Sequence, residues 1–135
     1  MSRTARGGCL LVLVLLAGCT KDEDYLDVMR EQCAAWKEMA DILETVKDDT
    51  SMAEAKKALD QKSGKYAALS RKAKALPKPR PEAVEKMKEL QFFANDAINR
   101  LAKEAVRIRK DVPGGAEFMK HFESTSQGLS PAVQP

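Results

Sequence analysis

The sequence predicts an all-α protein: an antiparallel up-down-up three-helix bundle with a coiled-coil-like core, a short C-terminal helix and a disordered tail. Two observations support this prediction. Apolar residues recur every three or four positions along three long segments, which places them on one face of a helix. Two short segments of helix-breaking residues separate the three, and short links between long helices favour antiparallel neighbours.

The first helix is predicted over residues 22–47. Its acidic first turn, Asp22 to Asp24, suits the positive end of the helix dipole. Its apolar seam consists of Leu26, Met29, Cys33, Trp36, Ala40 and Leu43. Five further apolar residues widen this seam into a broad arc: Tyr25, Val28, Met39, Ile42 and Val46. Because so much of its surface is apolar, this helix is expected to be packed against others.

The second helix is predicted over residues 52–75, after a break at residues 48–51. Ser51 and Glu54 have the spacing of a capping box, in which two side chains satisfy backbone N–H groups of the first turn. The apolar seam consists of Met52, Ala55, Leu59, Tyr66, Leu69, Ala73 and Leu76. Lys62 is the one polar residue in this seam.

The third helix is predicted over residues 81–111. The preceding segment contains three alternating prolines, which cannot continue a helix, and Pro81 suits the first turn of the next one. The apolar seam consists of Val84, Met87, Ala94, Ile98, Leu101, Ala105 and Ile108, with Gln91 as its polar interruption.

The C-terminal region begins with Pro113, Gly114 and Gly115, which end the third helix. Residues 116–122 are predicted to form one or two further helical turns. Residues 124–135 are predicted to be a disordered tail.

The N-terminus has the features of an export signal. Arg3 and Arg6 precede an apolar run over residues 10–16, which is far shorter than the roughly 20 residues that span a bilayer. The run ends in small residues before a cysteine: Leu16, Ala17, Gly18 and Cys19.

This Leu-Ala-Gly-Cys motif resembles the lipobox of bacterial lipoprotein signal peptides. The resemblance implies cleavage between Gly18 and Cys19, a diacylglyceryl group on the Cys19 thiol and an acyl group on the new amine. Apart from these lipids, no cofactor is expected. Such lipids would hold the protein on a membrane of the bacterial cell envelope. Because Thr20 follows the cysteine, the expected place is the periplasmic face of an outer membrane, with the inner membrane and the cell surface as alternatives. An ordinary secretory signal with a chance cysteine is the other interpretation.

Three segments follow from these observations: a signal peptide (1–18), the three-helix bundle (19–112) and the C-terminal region (113–135). Removing Arg3 and Arg6 with the signal leaves 21 basic and 20 acidic residues. Export and this near-neutral balance make nucleic acid an unexpected partner.

Few residues offer chemistry. With Cys9 removed and Cys19 lipidated, Cys33 is the one cysteine left, and it is expected to be a buried small hydrophobe rather than a reactive thiol. The methionines near Cys33 are expected to be core residues rather than copper ligands. His121 is the only histidine and cannot complete a zinc site alone. No metal site and no catalytic residue is predicted, and the chain is not expected to be an enzyme.

An acidic stripe is predicted on the outer face of the first helix, at Asp24, Asp27, Glu31, Glu38 and Asp41. Residues 21–49 contain 10 acidic and 4 basic residues, whereas residues 50–80 contain 2 acidic and 9 basic ones. Because the acids are expected to face outward, the second helix is not expected to neutralise most of them. The stripe is interpreted either as a solvated face or as a docking surface.

Phe92 is predicted on the outer face of the third helix, with Glu85, Asn99 and Val106. Phe93 is expected to reach the rim of the core, and the C-terminal turns are one candidate cover for Val106. Phe92 is interpreted as an aromatic anchor for a partner protein. The alternatives are a helical register one position off, or a tail that covers the ring.

A second resemblance covers roughly residues 40 to 112. The segment 47–51, an alanine-rich helix, the Leu-Pro-Lys-Pro stop at residues 76–79 and Arg107 are together similar to a short helical domain of uncharacterised bacterial envelope proteins. This resemblance implies a helical fold and no particular activity.

The expected function is therefore a membrane-anchored, non-catalytic helical adaptor or structural protein of the cell envelope, docked on an envelope partner. The alternative is a small protein that binds a ligand or metal between its helices, in a cavity near Cys33, Trp36 and Tyr66. Self-association through the heptad seams is a third expectation.

Overall fold

The computed structural model describes residues 22–129. These residues form four α-helices and contain no β-strand, which confirms the predicted all-α class. The helices are α1 (Asp22–Glu44), α2 (Asp49–Ala75), α3 (Pro81–Asp111) and α4 (Gly115–Thr125). The predicted signal, the lipobox with Cys19 and the last six residues of the predicted tail lie outside the described residues.

The central helix is α1, which packs against both α2 and α3. Within residues 22–129, α2 and α3 do not approach each other closely. The fourth helix packs against both of them, and its His121 and Glu123 contact Asp60 of α2 and Arg109 of α3. The helix α4 therefore fills one end of the space between α2 and α3, which we call the α2–α3 gap.

The core has two parts. The first lies between α1, α2, α4 and the C-terminal end of α3; its most completely buried side chains are Met39, Leu43, Leu59, Tyr66, Ile108 and Met119. The second joins α1 to α3 and contains Leu26, Met29, Trp36, Ala83, Met87, Ala94 and Ala97. Three of these α3 residues are alanines, and they let the two helices pack closely, because small side chains allow a short distance between the helix axes.

The seam predicted for the first helix faces the core, with Cys33 alone left half-buried. This helix ends at Glu44, three residues before the predicted end. Arg107 of α3 donates hydrogen bonds to the carbonyl oxygens of Leu43 and Val46, at 3.0 and 2.8 Å. Carbonyls at a helix end lack partners within the helix, so Arg107 caps α1 from another helix.

The capping of α2 differs from the prediction. Asp48 is the N-cap: its carboxylate accepts from the Ser51 amide at 2.8 Å, and the Ser51 hydroxyl accepts from the Asp48 amide at 2.9 Å. The predicted pairing of Ser51 with Glu54 is therefore wrong. Ser51 is the third residue of the helix rather than its cap, and Asp48 supplies the acceptor that the first turn needs.

The C-terminal region is more ordered than the sequence predicts. The fourth helix runs to Thr125, and Leu129 beyond it is only 3% exposed. Trp36 of α1 donates from Nε1 to the Leu129 carbonyl at 2.9 Å. The predicted disordered tail is thus wrong for residues 124–129, because a partner distant in sequence holds the chain.

Two glycines permit this path. A Cβ added to Gly115 would lie 2.0 Å from the Ile108 carbonyl oxygen, so only glycine fits where α4 begins against α3. Gly128 has a φ of 97°, a left-handed conformation that glycine adopts without strain, and it lies against Ser70 of α2.

Among residues 22–129, no helix contains an apolar stretch of the length that a membrane span requires.

Candidate interaction surfaces

Two adjacent aromatic rings stand on the outer face of α3. Phe92 is 74% exposed and Phe93 is 63% exposed. Their ring centroids lie 5.8 Å apart in an edge-to-face arrangement. We call these two residues the aromatic patch. The predicted outward position of Phe92 is confirmed, whereas the prediction that Phe93 reaches the rim of the core is wrong.

The packing of α3 explains this exposure. Ala94 and Ala97 contact α1, which places Phe92 on the opposite face of α3 and Phe93 at the side of this helix. Val106, further along the same helix, is 48% exposed and is therefore not covered by the C-terminal turns. Large aromatic side chains are usually buried, so two adjacent exposed ones form an apolar surface that the fold does not use.

The acidic residues of α1 are not an unpaired stripe. Glu31 pairs with Lys72 of α2 at 2.6 Å, and Asp41 pairs with Arg100 of α3 at 2.8 Å. Asp27 pairs within its own helix with Arg30, and Asp24 lies exposed in the first turn. Two of the five acids, Glu31 and Glu38, meet lysines of α2, because long lysine side chains reach across from that helix. Asp27 and Asp41 pair with arginines of α1 and α3 instead, in line with the expectation that the second helix does not neutralise most of the stripe.

Glu38 contacts three side chains of α2. Its carboxylate lies 2.6 Å from Lys62 Nζ and 3.4 Å from Lys65 Nζ, and it accepts from the Tyr66 hydroxyl at 3.1 Å. The hydrogen bond from Lys62 is the main cause that holds the pKa of Glu38 below its ordinary value. Burial, followed by the Glu38 charge, raises the pKa of Tyr66.

We call Glu38, Lys62, Lys65 and Tyr66 the Glu38 cluster. This cluster explains why Lys62 lies in the apolar seam of α2. It lies at the edge of the interface with α1, where its ammonium group reaches Glu38. Lys62 is therefore a polar contact between two helices.

Cys33 and His121 have structural partners. Cys33 is half-buried between α1 and α3, with its Sγ 4.0 Å from the Leu90 carbonyl oxygen, and burial raises the pKa of its thiol. His121 Nε2 lies 2.7 Å from the Asp60 carboxylate, which joins α4 to α2. Residues 22–129 contain no group of three or more histidine, cysteine or acidic side chains placed to hold a metal ion.

An apolar groove of about 570 Å³ lies at the other end of the α2–α3 gap. We call it the proline-end groove, because the segment that joins α2 to α3 forms one of its walls. Its apolar lining consists of Val28, Met29, Ala73, Leu76, Pro77, Pro79, Val84 and Met87. Its polar lining consists of Tyr25, Gln32, Lys78, Lys88 and Gln91.

The groove is open because α4 covers only one end of the α2–α3 gap, and no other described element covers this end. The floor is formed by residues 25–32 of α1, and Tyr25 closes one end by donating a hydrogen bond to the Pro77 carbonyl. The groove lies nearer the start of α1 than the cavity expected near Cys33, Trp36 and Tyr66. At that expected position Trp36 and Tyr66 are buried and hydrogen-bonded instead.

Sequence reasoning missed this groove, although Gln91 is a signal of it. Gln91 interrupts the seam of α3 and lines the groove, since this part of the helix faces the open gap. The two polar residues in the apolar seams therefore have different roles. Lys62 forms an ion pair between two helices, whereas Gln91 lies on a groove wall that is open to solvent.

Comparisons of this chain with known protein families, with curated proteins and with solved structures find no match.

Proposed function

We propose that this chain is a bacterial lipoprotein, anchored through lipid on Cys19, whose helices serve as a non-catalytic adaptor for another protein of the cell envelope. The observation that carries the adaptor role is the aromatic patch. Two exposed phenylalanines side by side cost solubility and add nothing to the core, whereas aromatic residues are common centres of protein–protein interfaces.

The anchor rests on the order of features at the N-terminus. Positive residues, a short apolar run, small residues and a cysteine follow one another as in lipoprotein signals. Helix α1 begins at Asp22, three residues after Cys19. Three residues span at most about 10 Å, so lipid on Cys19 would hold the start of α1 at the membrane surface. The proposed place is the periplasmic face of an outer membrane.

We further propose the up-down-up order for α1, α2 and α3. The contacts along α1 support it. Glu31 and Glu38 meet progressively earlier residues of α2, namely Lys72 and Lys62. Asp22 and Asp41 meet progressively later residues of α3, namely Lys86 and Arg100.

The adaptor role is tested by site-specific photo-crosslinking in living cells with the full-length chain. A photoreactive amino acid replaces Asn95, an exposed residue one helical turn from Phe92. The matched control carries the same group at Lys57, which is exposed on α2. We expect one dominant protein adduct from position 95 and none of the same mass from position 57. Equal adducts from both positions, or none from position 95, would refute a partner at the aromatic patch.

A Cys19→Ser chain tests the anchor in the same cells. We expect it to leave the membrane fraction and to lose the adduct, because the partner would then no longer be held nearby. A chain that stays fully membrane-bound without Cys19 would contradict lipid anchoring.

A second candidate function is binding of a small ligand between the helices. The proline-end groove favours it, since volumes of about 300–1,000 Å³ with apolar walls and few polar groups are typical of ligand sites.

A further inference from the structure

The structure holds an apolar groove whose ligand can be inferred from its walls and its position. From the proline-end groove we infer that this chain binds one acyl chain of an anionic phospholipid. The membrane source of this lipid rests on the proposed anchor at Cys19, whereas the apolar and cationic character of the groove does not.

The shape and lining of the groove suit a hydrocarbon chain. Val28 and Met29 form its floor, Leu76 and Pro77 one wall, and Val84 and Met87 the other. The volume of about 570 Å³ lies within the range of sites for small ligands. The floor is already buried, and an elongated apolar ligand would remove the wall residues Leu76, Pro77 and Val84 from water. The flexible methionines adapt to an irregular chain.

The charge of the groove selects an anion. Both charged residues in its lining are lysines, Lys78 and Lys88, and no acidic side chain lines it. Lys88 pairs with Glu85 of its own helix at 2.7 Å, with both side chains exposed. Lys78 has no ion-pair partner among residues 22–129. A phosphate beside Lys78 would therefore meet a cation that no described carboxylate neutralises.

The position of the groove favours a lipid of the membrane over a free amphiphile. Tyr25, Val28 and Met29 lie near the start of α1, within about 11 Å of Asp22 along the helix axis. With Cys19 three residues before Asp22, the groove would open close to the headgroups. One acyl chain could enter it while the rest of the lipid stays in the bilayer.

The aromatic patch is a separate surface. Phe92 and Phe93 do not line the groove, although Lys88 and Gln91 of the same helix do. A lipid in the groove and a protein at the patch could therefore be bound together, and each can be tested without the other.

The test uses the mature full-length protein in vesicles of phosphatidylcholine with a minor fraction of phosphatidylglycerol. In one arm the phosphatidylglycerol has a photoreactive acyl chain, in a second arm the phosphatidylcholine has it, and in a third the probe is photoreactive palmitate. Crosslinked residues are mapped by mass spectrometry. We expect labelling from phosphatidylglycerol at Met29 and Met87 and in the segment 76–79.

Two variants with matched controls decide the interpretation. Val84→Trp places a large side chain in the groove, and Val106→Trp makes the same change on the exposed face of α3. We expect Val84→Trp to reduce groove labelling about tenfold and Val106→Trp to leave it unchanged, since only the first fills the acyl position. Lys78→Glu should reduce labelling by phosphatidylglycerol about threefold, against no change for Lys103→Glu.

Each other outcome overturns the inference. Equal labelling by the neutral lipid would refute selection for an anion, and labelling by palmitate alone would refute a phospholipid source. Labelling that Val84→Trp leaves intact in a folded chain, or a protein crosslinked in cells to a photoreactive group at Gln91, would refute an acyl chain in the groove. The mass of the Cys19 peptide reports lipidation separately, so a failed anchor is distinguishable from an empty groove.

Discussion

The two ends of the α2–α3 gap differ in what covers the apolar surface of α1. At one end, α4 and the residues up to Leu129 cover it, and Met119 and Leu129 are almost completely buried. At the other end, Val28 and Met29 are also buried, but they form the floor of a groove whose walls at Leu76 and Val84 stay partly exposed. The same two helices border both ends. The comparison shows that a C-terminal element of 15 residues, 115–129, closes only the part of the gap that it can reach.

The largest effect is expected from truncating a side chain at the closed end. Leu59 has no exposed surface, and Leu59→Ala should lower the free energy of unfolding by about 3–4 kcal/mol through lost burial and a cavity. Met87→Ala should cost less, about 2 kcal/mol, because Met87 lines the groove and is 8% exposed, whereas Leu59 has no exposed surface. Urea unfolding of both variants measures the difference. Equal losses would show that the two ends are packed alike.

A change at the end of the C-terminal segment should have the next largest effect. Gly128→Ala places a methyl group within 2.5 Å of Ser70 Oγ at a φ of 97°. We expect a loss of about 2 kcal/mol and faster hydrogen exchange in α4, since the strain would release Leu129 from Trp36.

The matched control for that glycine is Gly64, in the middle of α2. No atom lies within 4 Å of an added Cβ there. Gly64→Ala should stabilise the chain by about 1 kcal/mol through helix propensity alone, which a thermal melt can measure. A destabilised Gly64→Ala chain would show that a close contact exists at this position.

The apolar seams could be predicted from the sequence, because helical periodicity is a local property. Leu26, Leu43, Leu59 and Ile108 are all buried as their spacing predicts. The end of α3 at Asp111 was also predictable, since Pro113 and the glycines after it act locally.

The contacts between elements could not be predicted in the same way. Phe93 lies at the side of α3, and its 63% exposure depends on how α1 packs against this helix. The pairing of Lys62 with Glu38 depends on how far α2 slides along α1. The burial of Leu129 depends on Trp36, 93 residues away in sequence, and no local pattern contains that information.

The Glu38 cluster should make stability depend on pH. The folded chain lowers the pKa of Glu38 from its ordinary value of 4.5, so its contribution is present above that pH and is lost as the pH falls below it. Glu38→Gln should therefore reduce the free energy of unfolding near neutral pH, by about 1 kcal/mol or less.

The same variant should make little difference in acid, where Glu38 is protonated in both states. Glu54→Gln is the control, since Glu54 is exposed and has no partner among the described residues. Urea unfolding at both pH values gives the comparison. A Glu38→Gln effect that is equal at both would contradict the role of its charge.

The smallest effect on stability is expected at the aromatic patch. Phe92→Ala and Phe93→Ala together should change the free energy of unfolding by less than about 0.5 kcal/mol, because both rings are mostly exposed. Thermal melts of the double variant and of Leu59→Ala would compare the loss of two exposed rings with the loss of a core side chain.

The most direct test of the adaptor role combines this double variant with the photoreactive group at position 95. We expect Phe92→Ala/Phe93→Ala to abolish the dominant adduct in cells while the amount of membrane-bound protein stays at the native level. An adduct of undiminished yield would show that the partner does not use these rings. A fall in protein amount that parallels the loss of adduct would show that they serve folding instead.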